Sequence, residues 1–177
     1  FLCGEGENLL YFIGLGLKPE HITEEAKDAI KNAKKVYVEV YTSVFSEGSI
    51  KDLEKEFKKK FTLLYREDVE LHFSKIISEA KKQNVAFCVF GNITSATTHS
   101  SAITDANKAK IKYKLIPSIS IISVVPMLTG LEEYRFGRTI SIVKPVKNYS
   151  PTGFFDYILE NKKLGLHTLC LLDIKIE

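Results

Sequence analysis

Two rhythms of apolar residues alternate along this chain. Short unbroken apolar runs take turns with stretches in which apolar positions return every three or four residues, the pattern of alternating strands and helices. The first run, Leu9 to Leu15, closes on Gly14-Leu15-Gly16-Leu17 and predicts a strand entering a tight turn. Thr23 predicts a helix start, because its hydroxyl can accept a backbone N–H of the first turn. Glu24 and Glu25 suit the positive end of the helix dipole, and Ile22, Ala26, Ala29, Ile30 and Ala33 form one stripe. Val36 to Tyr41 reads as the next strand. Ser49 precedes a lysine-rich helix with Ile50, Leu53 and Phe57 on one face, and Phe61 to Tyr65 follows as a strand. Asp68 is expected to cap a helix bearing Phe73, Ile76, Ile77 and Ala80. Val85 to Phe90 is apolar throughout and ends at Gly91, which predicts a central parallel strand covered on both faces. A helix from about Thr98 to Lys110, carrying Ala102, Ile103, Ala106 and Ala109, and a strand from Lys112 to Ile116 continue the alternation.

Such alternation needs crossover connections, so residues 9–116 are expected to form an α/β domain, a mostly parallel sheet with flanking helices. Its binding crevice should lie at the carboxyl ends of the strands, which singles out the turn after Gly14 and the segment from Gly91 to His99. From Leu115 to Leu131 no charged residue occurs, but Pro117, Pro126 and several serines interrupt the run. It reads as buried core plus a loop and not as a bilayer span. Residues 117–177 are expected to begin a second α/β domain: a strand from Thr139 to Val143, a helix opened by Ser150 and Pro151 with Phe154, Phe155, Ile158 and Leu159, and a strand from Thr168 to Ile174. A single helix covers too little of that half, so this second domain is expected to be incomplete, with further chain or a partner completing it.

Composition narrows the picture. A hydrophobic content of 45% with 27% charged residues belongs to a folded chain, and a formal charge of +3 is too small to call for nucleic acid as a partner. The run Lys58-Lys59-Lys60 is best read as a solvated helix face. Three cysteines include no close pair, and Cys88 and Cys170 sit in apolar runs, as expected of free thiols in a reducing, cytoplasmic setting. Residues 1–8 lack a basic start followed by an apolar stretch, so no signal peptide is expected and they are left unassigned.

Candidate chemistry is sparse. Gly14 and Gly16 match two glycines of a dinucleotide fingerprint, but Pro19 replaces the third and the next helix starts several residues later, so a tight turn explains them as well. No glycine-lysine-serine or glycine-lysine-threonine sequence follows a strand, which removes the main support for phosphoryl transfer. His99, beside Thr97 and Thr98, would serve as a base or ligand, yet His21, His72 and His167 show no metal-ligand spacing with it, and a hydrogen-bonded structural role suits it better. No metal is expected. Asp173 would bind a ribose or cap a strand end, and Arg135 with Arg138 would hold an acidic substrate or bracket a turn.

Five segments together resemble the diphthine synthases of the tetrapyrrole-methylase superfamily: Leu10-Tyr-Phe-Ile-Gly-Leu-Gly-Leu17, Val36-Tyr-Val-Glu-Val-Tyr-Thr-Ser43, Ala96-Thr-Thr-His-Ser100, Tyr134-Arg-Phe-Gly-Arg138 and Leu164-Gly-Leu-His-Thr-Leu-Cys-Leu-Leu-Asp-Ile-Lys175. The likeness extends from about Leu9 to Glu177. It implies two α/β domains with S-adenosylmethionine held in the cleft between them, a homodimer, and methylation of the amino-carboxypropyl group on a histidine of elongation factor 2. Membrane and nucleic acid play no part in that chemistry. Matched position by position, the resemblance implies cofactor contacts at Leu17, Asn92, Ser95, Ser120, Ile121 and Leu172, and no catalytic residue is named.

Two departures from the family stand out. Gly91-Asn92-Ile93 replaces the usual glycine-aspartate-proline, so a neutral amide stands where a carboxylate is expected near the cofactor. In Pro117-Ser-Ile-Ser-Ile-Ile-Ser123 the serine-isoleucine pattern repeats, which makes Ser118 and Ile119 rivals of Ser120 and Ile121. Two other functions compete with a diphthine synthase: a related methyltransferase acting on a tetrapyrrole or ribosomal RNA, against which the Leu164–Lys175 motif speaks, and an inactive homologue that only binds elongation factor 2.

Overall fold

The computed structural model describes residues 8–174, so Cys3, most of the unassigned N-terminal stretch and the Lys175 end of the last motif lie outside the described residues. The chain divides into two compact units, residues 1–120 and 121–177.

In the first unit, β1 (Leu10–Gly14) leads through a short 3-10 turn at Pro19–His21 into α1 (Glu24–Asn32), then β2 (Lys35–Glu39), α2 (Ile50–Phe57) and β3 (Phe61–Leu64). After these come α3 (Arg66–Glu70), α4 (Ser74–Ala80), β4 (Val85–Val89), α5 (Ser100–Lys108) and β5 (Tyr113–Ile116). The strands form one sheet in the order β3-β2-β4-β1-β5, and every neighbouring pair is parallel. Alternate side chains feed two separate cores. Tyr11, Ile13, Val36, Val38 and Cys88 pack with α1 and α2 on one face, whereas Phe12, Tyr37 and Phe87 pack with α3, α4 and α5 on the other. The whole of β4 is buried, as its unbroken apolar run predicts, and each large side chain so covered contributes about 1.5–3 kcal/mol.

Local chemistry sets the helix ends. The Thr23 hydroxyl accepts the Ala26 N–H at 3.2 Å, and Ser49 with Asp52 forms a reciprocal capping box at the start of α2. Beyond α2 the Lys59 ammonium donates to the carbonyls of Ile30 (2.9 Å), Ala33 (2.6 Å) and Lys31, placing a cation on the negative end of α1. Burial holds that ammonium below its ordinary pKa.

One helix start differs from expectation. Asp68 does not open the helix bearing Phe73 and Ile76. It lies within α3, where its Oδ2 accepts the Tyr65 N–H at 2.9 Å, and a turn at residues 71–73 interrupts the helix before α4. Two short helices therefore replace one, both burying apolar side chains in the same core.

The second unit contains α6 (Ile121–Thr129), a 3-10 turn at Glu133–Arg135, β6 (Ile140–Ile142), α7 (Phe154–Lys163) and β7 (Cys170–Leu172). Strands β6 and β7 pair in parallel. The stretch expected to be core plus a loop is in fact helical at α6, with Pro126 inside the helix and Met127 and Leu128 exposed. Ser150 and Pro151 do not open α7; Gly153 precedes it, and the helix begins at Phe154. The buried Asn161 side chain organises this unit: its Oδ1 accepts the Arg138 N–H at 3.0 Å, and its amide donates to the Arg138 carbonyl at 2.9 Å and to the Thr168 hydroxyl at 2.8 Å. No helix among the described residues is long and apolar enough to cross a membrane.

Candidate functional site

Strands β1 and β4 lie side by side, but the chain leaves them toward opposite faces, since α1 belongs to one core and α5 to the other. A divergence of this kind opens a crevice above the strand ends, where open α/β sheets bind ligands. Both predicted glycine turns are there. They are tied to each other by the Gly16 N–H to the Gly91 carbonyl (3.0 Å) and the Gly91 N–H to the Gly16 carbonyl (2.8 Å).

The close approach explains the residue types. A Cβ on Gly14 would lie 2.8 Å from the Gly91 carbonyl oxygen, and Gly16, at φ +74°, has the His21 side chain against it. Gly91 is also left-handed, at φ +73°, but the space beside it is open. The chain after β5 joins the same group. Ser118 donates its N–H to Asn92 Oδ1 at 3.4 Å and its hydroxyl to the His21 carbonyl at 3.1 Å. His21 Nδ1 accepts the Leu17 N–H at 3.3 Å, and Asn92 Nδ2 lies 3.5 Å from the Ser95 hydroxyl.

Leu17, Asn92 and Ser95 are therefore linked through Ser118 and His21 beyond the carboxyl ends of β1 and β4. Ser118, a rival of Ser120, touches Asn92, while Ser120 is buried two residues further on. Ile121 is the first residue of α6, and Leu172, the last of β7, is 72% exposed. His21 was not singled out from the sequence. Its neighbours Glu20 and Ile22 carry no ligand pattern, and only the fold reveals its contact with Leu17.

The remaining candidates have structural partners. His99 is fully buried with its Nε2 3.0 Å from Glu39 Oε2, in keeping with a hydrogen-bonded role. The Arg138 guanidinium stacks 3.7 Å above the Tyr157 ring beside a cleft of about 310 Å³, and Arg135 lies 3.8 Å from Glu132. Asp173 donates its backbone N–H to the Ile142 carbonyl at 3.1 Å. The N-terminus of α1 begins at Glu24, well beyond Gly16, so the phosphate-cradling geometry of a dinucleotide fold is not present. Among the described residues no group of three or more His, Cys, Asp or Glu side chains could hold a metal ion.

Residues 9–175 match the family profile of the tetrapyrrole (corrin/porphyrin) methylases. The chain belongs to that family. Among the relatives of this chain, the diphthine methyl ester synthase of Kluyveromyces lactis is 42% identical over 170 residues, covering 96% of this chain and 57% of that protein. The diphthine synthase of Staphylothermus marinus is 41% identical over 174 residues, covering 96% of this chain and 64% of that one. A crystal structure of a diphthine synthase superposes with a TM-score of 0.86 at 35% identity, covering 96% of this chain and 66% of its own. The chain thus spans 57–64% of the length of these curated relatives.

The site suits a neutral-to-cationic methyl donor in its materials. Gly14 and Gly16 are closed off by the Gly91 carbonyl and the His21 side chain, the space beside Gly91 is free, and Asn92 and Ser95 offer amide and hydroxyl groups that both donate and accept.

Proposed function

We propose that this protein is a diphthine synthase that takes its methyl group from S-adenosylmethionine. The observation that carries the reading is the meeting of three strand-end turns, at Gly16, Gly91 and Ser118, in a methylase-family sheet whose strands diverge at that point. Support for the substrate comes from the names of the relatives, at 41–42% identity over 96% of the chain.

In this reading Leu17, Asn92, Ser95, Ser120, Ile121 and Leu172 contact the cofactor, with Ser118 and Ile119 as rivals for the Ser120 and Ile121 roles. In the same reading residues 9–116 form the first domain and residues 117–177 begin the second, a boundary four residues before the division between the two compact units. The protein substrate is elongation factor 2, and the enzyme acts as a cytoplasmic homodimer. A bound sulfonium supplies an already activated methyl group, so the chain's own task is to orient and to exclude competing water. Holding an amine in line with the methyl–sulfur bond accounts for a large part of such an acceleration, and no side chain is assigned as a base.

Isothermal titration with S-adenosylhomocysteine tests the reading. Saturable binding supports it, and its absence in a folded sample refutes it. Asn92→Asp refines the test. The carboxylate still accepts from the Ser118 N–H and can accept a hydrogen bond from the Ser95 hydroxyl, while gaining charge toward the cofactor's hydroxyl or ammonium groups. We expect binding to tighten by about three- to tenfold, near 1 kcal/mol. Unchanged affinity would mean that position 92 does not touch the cofactor.

A further inference from the structure

Residues 90–99 join β4 to α5 without regular structure, and they carry both Asn92 and Ser95. The near end of the segment is fastened by the Gly16–Gly91 bridge. Its interior is held by local bonds, from the Ser95 N–H to the Asn92 carbonyl at 3.1 Å and from the Thr97 hydroxyl to the Ile93 carbonyl at 2.5 Å. Between them Ala96 adopts φ +62°, a left-handed conformation that a residue with a Cβ disfavours. Backbone of that kind persists only where the surroundings over-determine it.

The far end of the segment supplies the constraint. His99 and Glu39 are both wholly inaccessible, and Glu39 is the last residue of β2, the strand beside β4 in the sheet. Four donors converge on the carboxylate: the N–H groups of Tyr41 (2.6 Å) and Thr42 (2.5 Å), the Thr42 hydroxyl (2.6 Å) and His99 Nε2 (3.0 Å). His99 Nδ1 has no hydrogen-bond partner among the described residues. An ionised carboxylate can only accept, so His99 donates to it through Nε2. Tyr41 and Phe87 stand edge-on to the imidazole, with centroids at 6.1 and 5.3 Å, and fix its plane.

A buried carboxylate–imidazole contact is a poor way to gain stability, since apolar side chains of like volume commonly do as well. What such a contact does supply is one defined geometry. We propose that the Glu39–His99 hydrogen bond is a positioning device for the methyl-donor site, pinning residues 90–99 so that Asn92 and Ser95 are presented in the binding conformation. The inference rests on the methyl-donor reading of that site. His99 acts through the segment and does not touch the ligand.

The test compares wild type, His99→Leu and His99→Gln in two measurements, S-adenosylhomocysteine affinity by titration and amide hydrogen exchange. Leucine removes the donor, whereas the glutamine amide can reach the Glu39 carboxylate from nearly the Nε2 position. Expected is a loss of affinity of at least about tenfold in His99→Leu, close to 1.4 kcal/mol, with recovery of most of it in His99→Gln. Exchange should accelerate at residues 91–98 in the leucine variant while the amides of β1 and β4 keep their protection.

Equal affinity in wild type and His99→Leu overturns the inference, as does acceleration spread evenly over β1 and β4, which signifies general loosening. Should His99→Leu not fold, Thr42→Val removes another donor from the same carboxylate without touching the imidazole. A several-fold loss of affinity then supports the inference and an unchanged value overturns it. Failure of wild type itself to bind is a different result: it refutes the methyl-donor reading, and this inference falls with it.

Discussion

At position 137 only a hydrogen atom fits. A Cβ there would stand 2.1 Å from Asn161 Oδ1, and that oxygen cannot retreat because the same side chain makes three hydrogen bonds to Arg138 and Thr168. Gly137→Ala is expected to lower stability by about 2–3 kcal/mol, through overpacking and loss of buried hydrogen bonds, as read by urea unfolding. A cost below about 0.5 kcal/mol would show that Asn161 repacks freely. The same scale shows what the sequence made visible in the site. Gly14, Gly16 and Gly91 were legible as turns because each closes an apolar strand, whereas Asn92 was reached only through the family resemblance. The contact of Ser118 with Asn92 was not legible, because Ser118-Ile119 and Ser120-Ile121 are alike in composition and differ only in where β5 ends. Glu39 escaped notice altogether, as an acidic residue in a strand that alternates between two faces commonly points to water, and here it faces His99.

Helix α2 ends on Lys58, an exposed residue at φ 51°. A left-handed helix end favours glycine, so Lys58→Gly is expected to raise stability by about 0.5–1 kcal/mol, provided the nearby Lys59 contacts with α1 are retained. Thermal unfolding followed by circular dichroism checks this, and a lower melting temperature would count against it. Element by element, the strongly patterned segments were read well: α1, α2, β1, β2, β3, β4, α5 and β5 all occur where periodicity puts them, with ends trimmed by a residue or two. The failures share a cause. Pro126 and the serines around α6 look like loop chemistry, yet the helix forms with the proline buried. Asp68 looks like a cap but serves as the third residue of a shorter helix, a role that the capping box allows equally.

For the molecule as a whole, acid should be destabilising in a way traceable to one group. Burial pushes the Glu39 carboxyl up, but the hydrogen bonds from His99 and Thr42 outweigh it and hold the group below the ordinary glutamate value. A depressed carboxyl adds stability above its unfolded pKa, about 4.3, and that contribution is lost as pH falls through the lower folded value. Urea midpoints measured between about pH 6 and pH 3 should therefore drop toward acid, and Glu39→Gln, though weaker at neutral pH, should show a shallower drop. Parallel slopes would remove Glu39 from the account. The order of strands in the sheet carries a further consequence, for the chain as it is made. Among the described residues strand β1 pairs only with β4 and β5, and β4 also separates it from β2. Leu10 meets its partner Val85 only after about 75 more residues have been added, roughly 4–15 s at usual rates of translation. Throughout that interval the first strand, with all its apolar side chains, has no neighbour in its own sheet, so the nascent protein is at its most vulnerable to aggregation before β4 emerges.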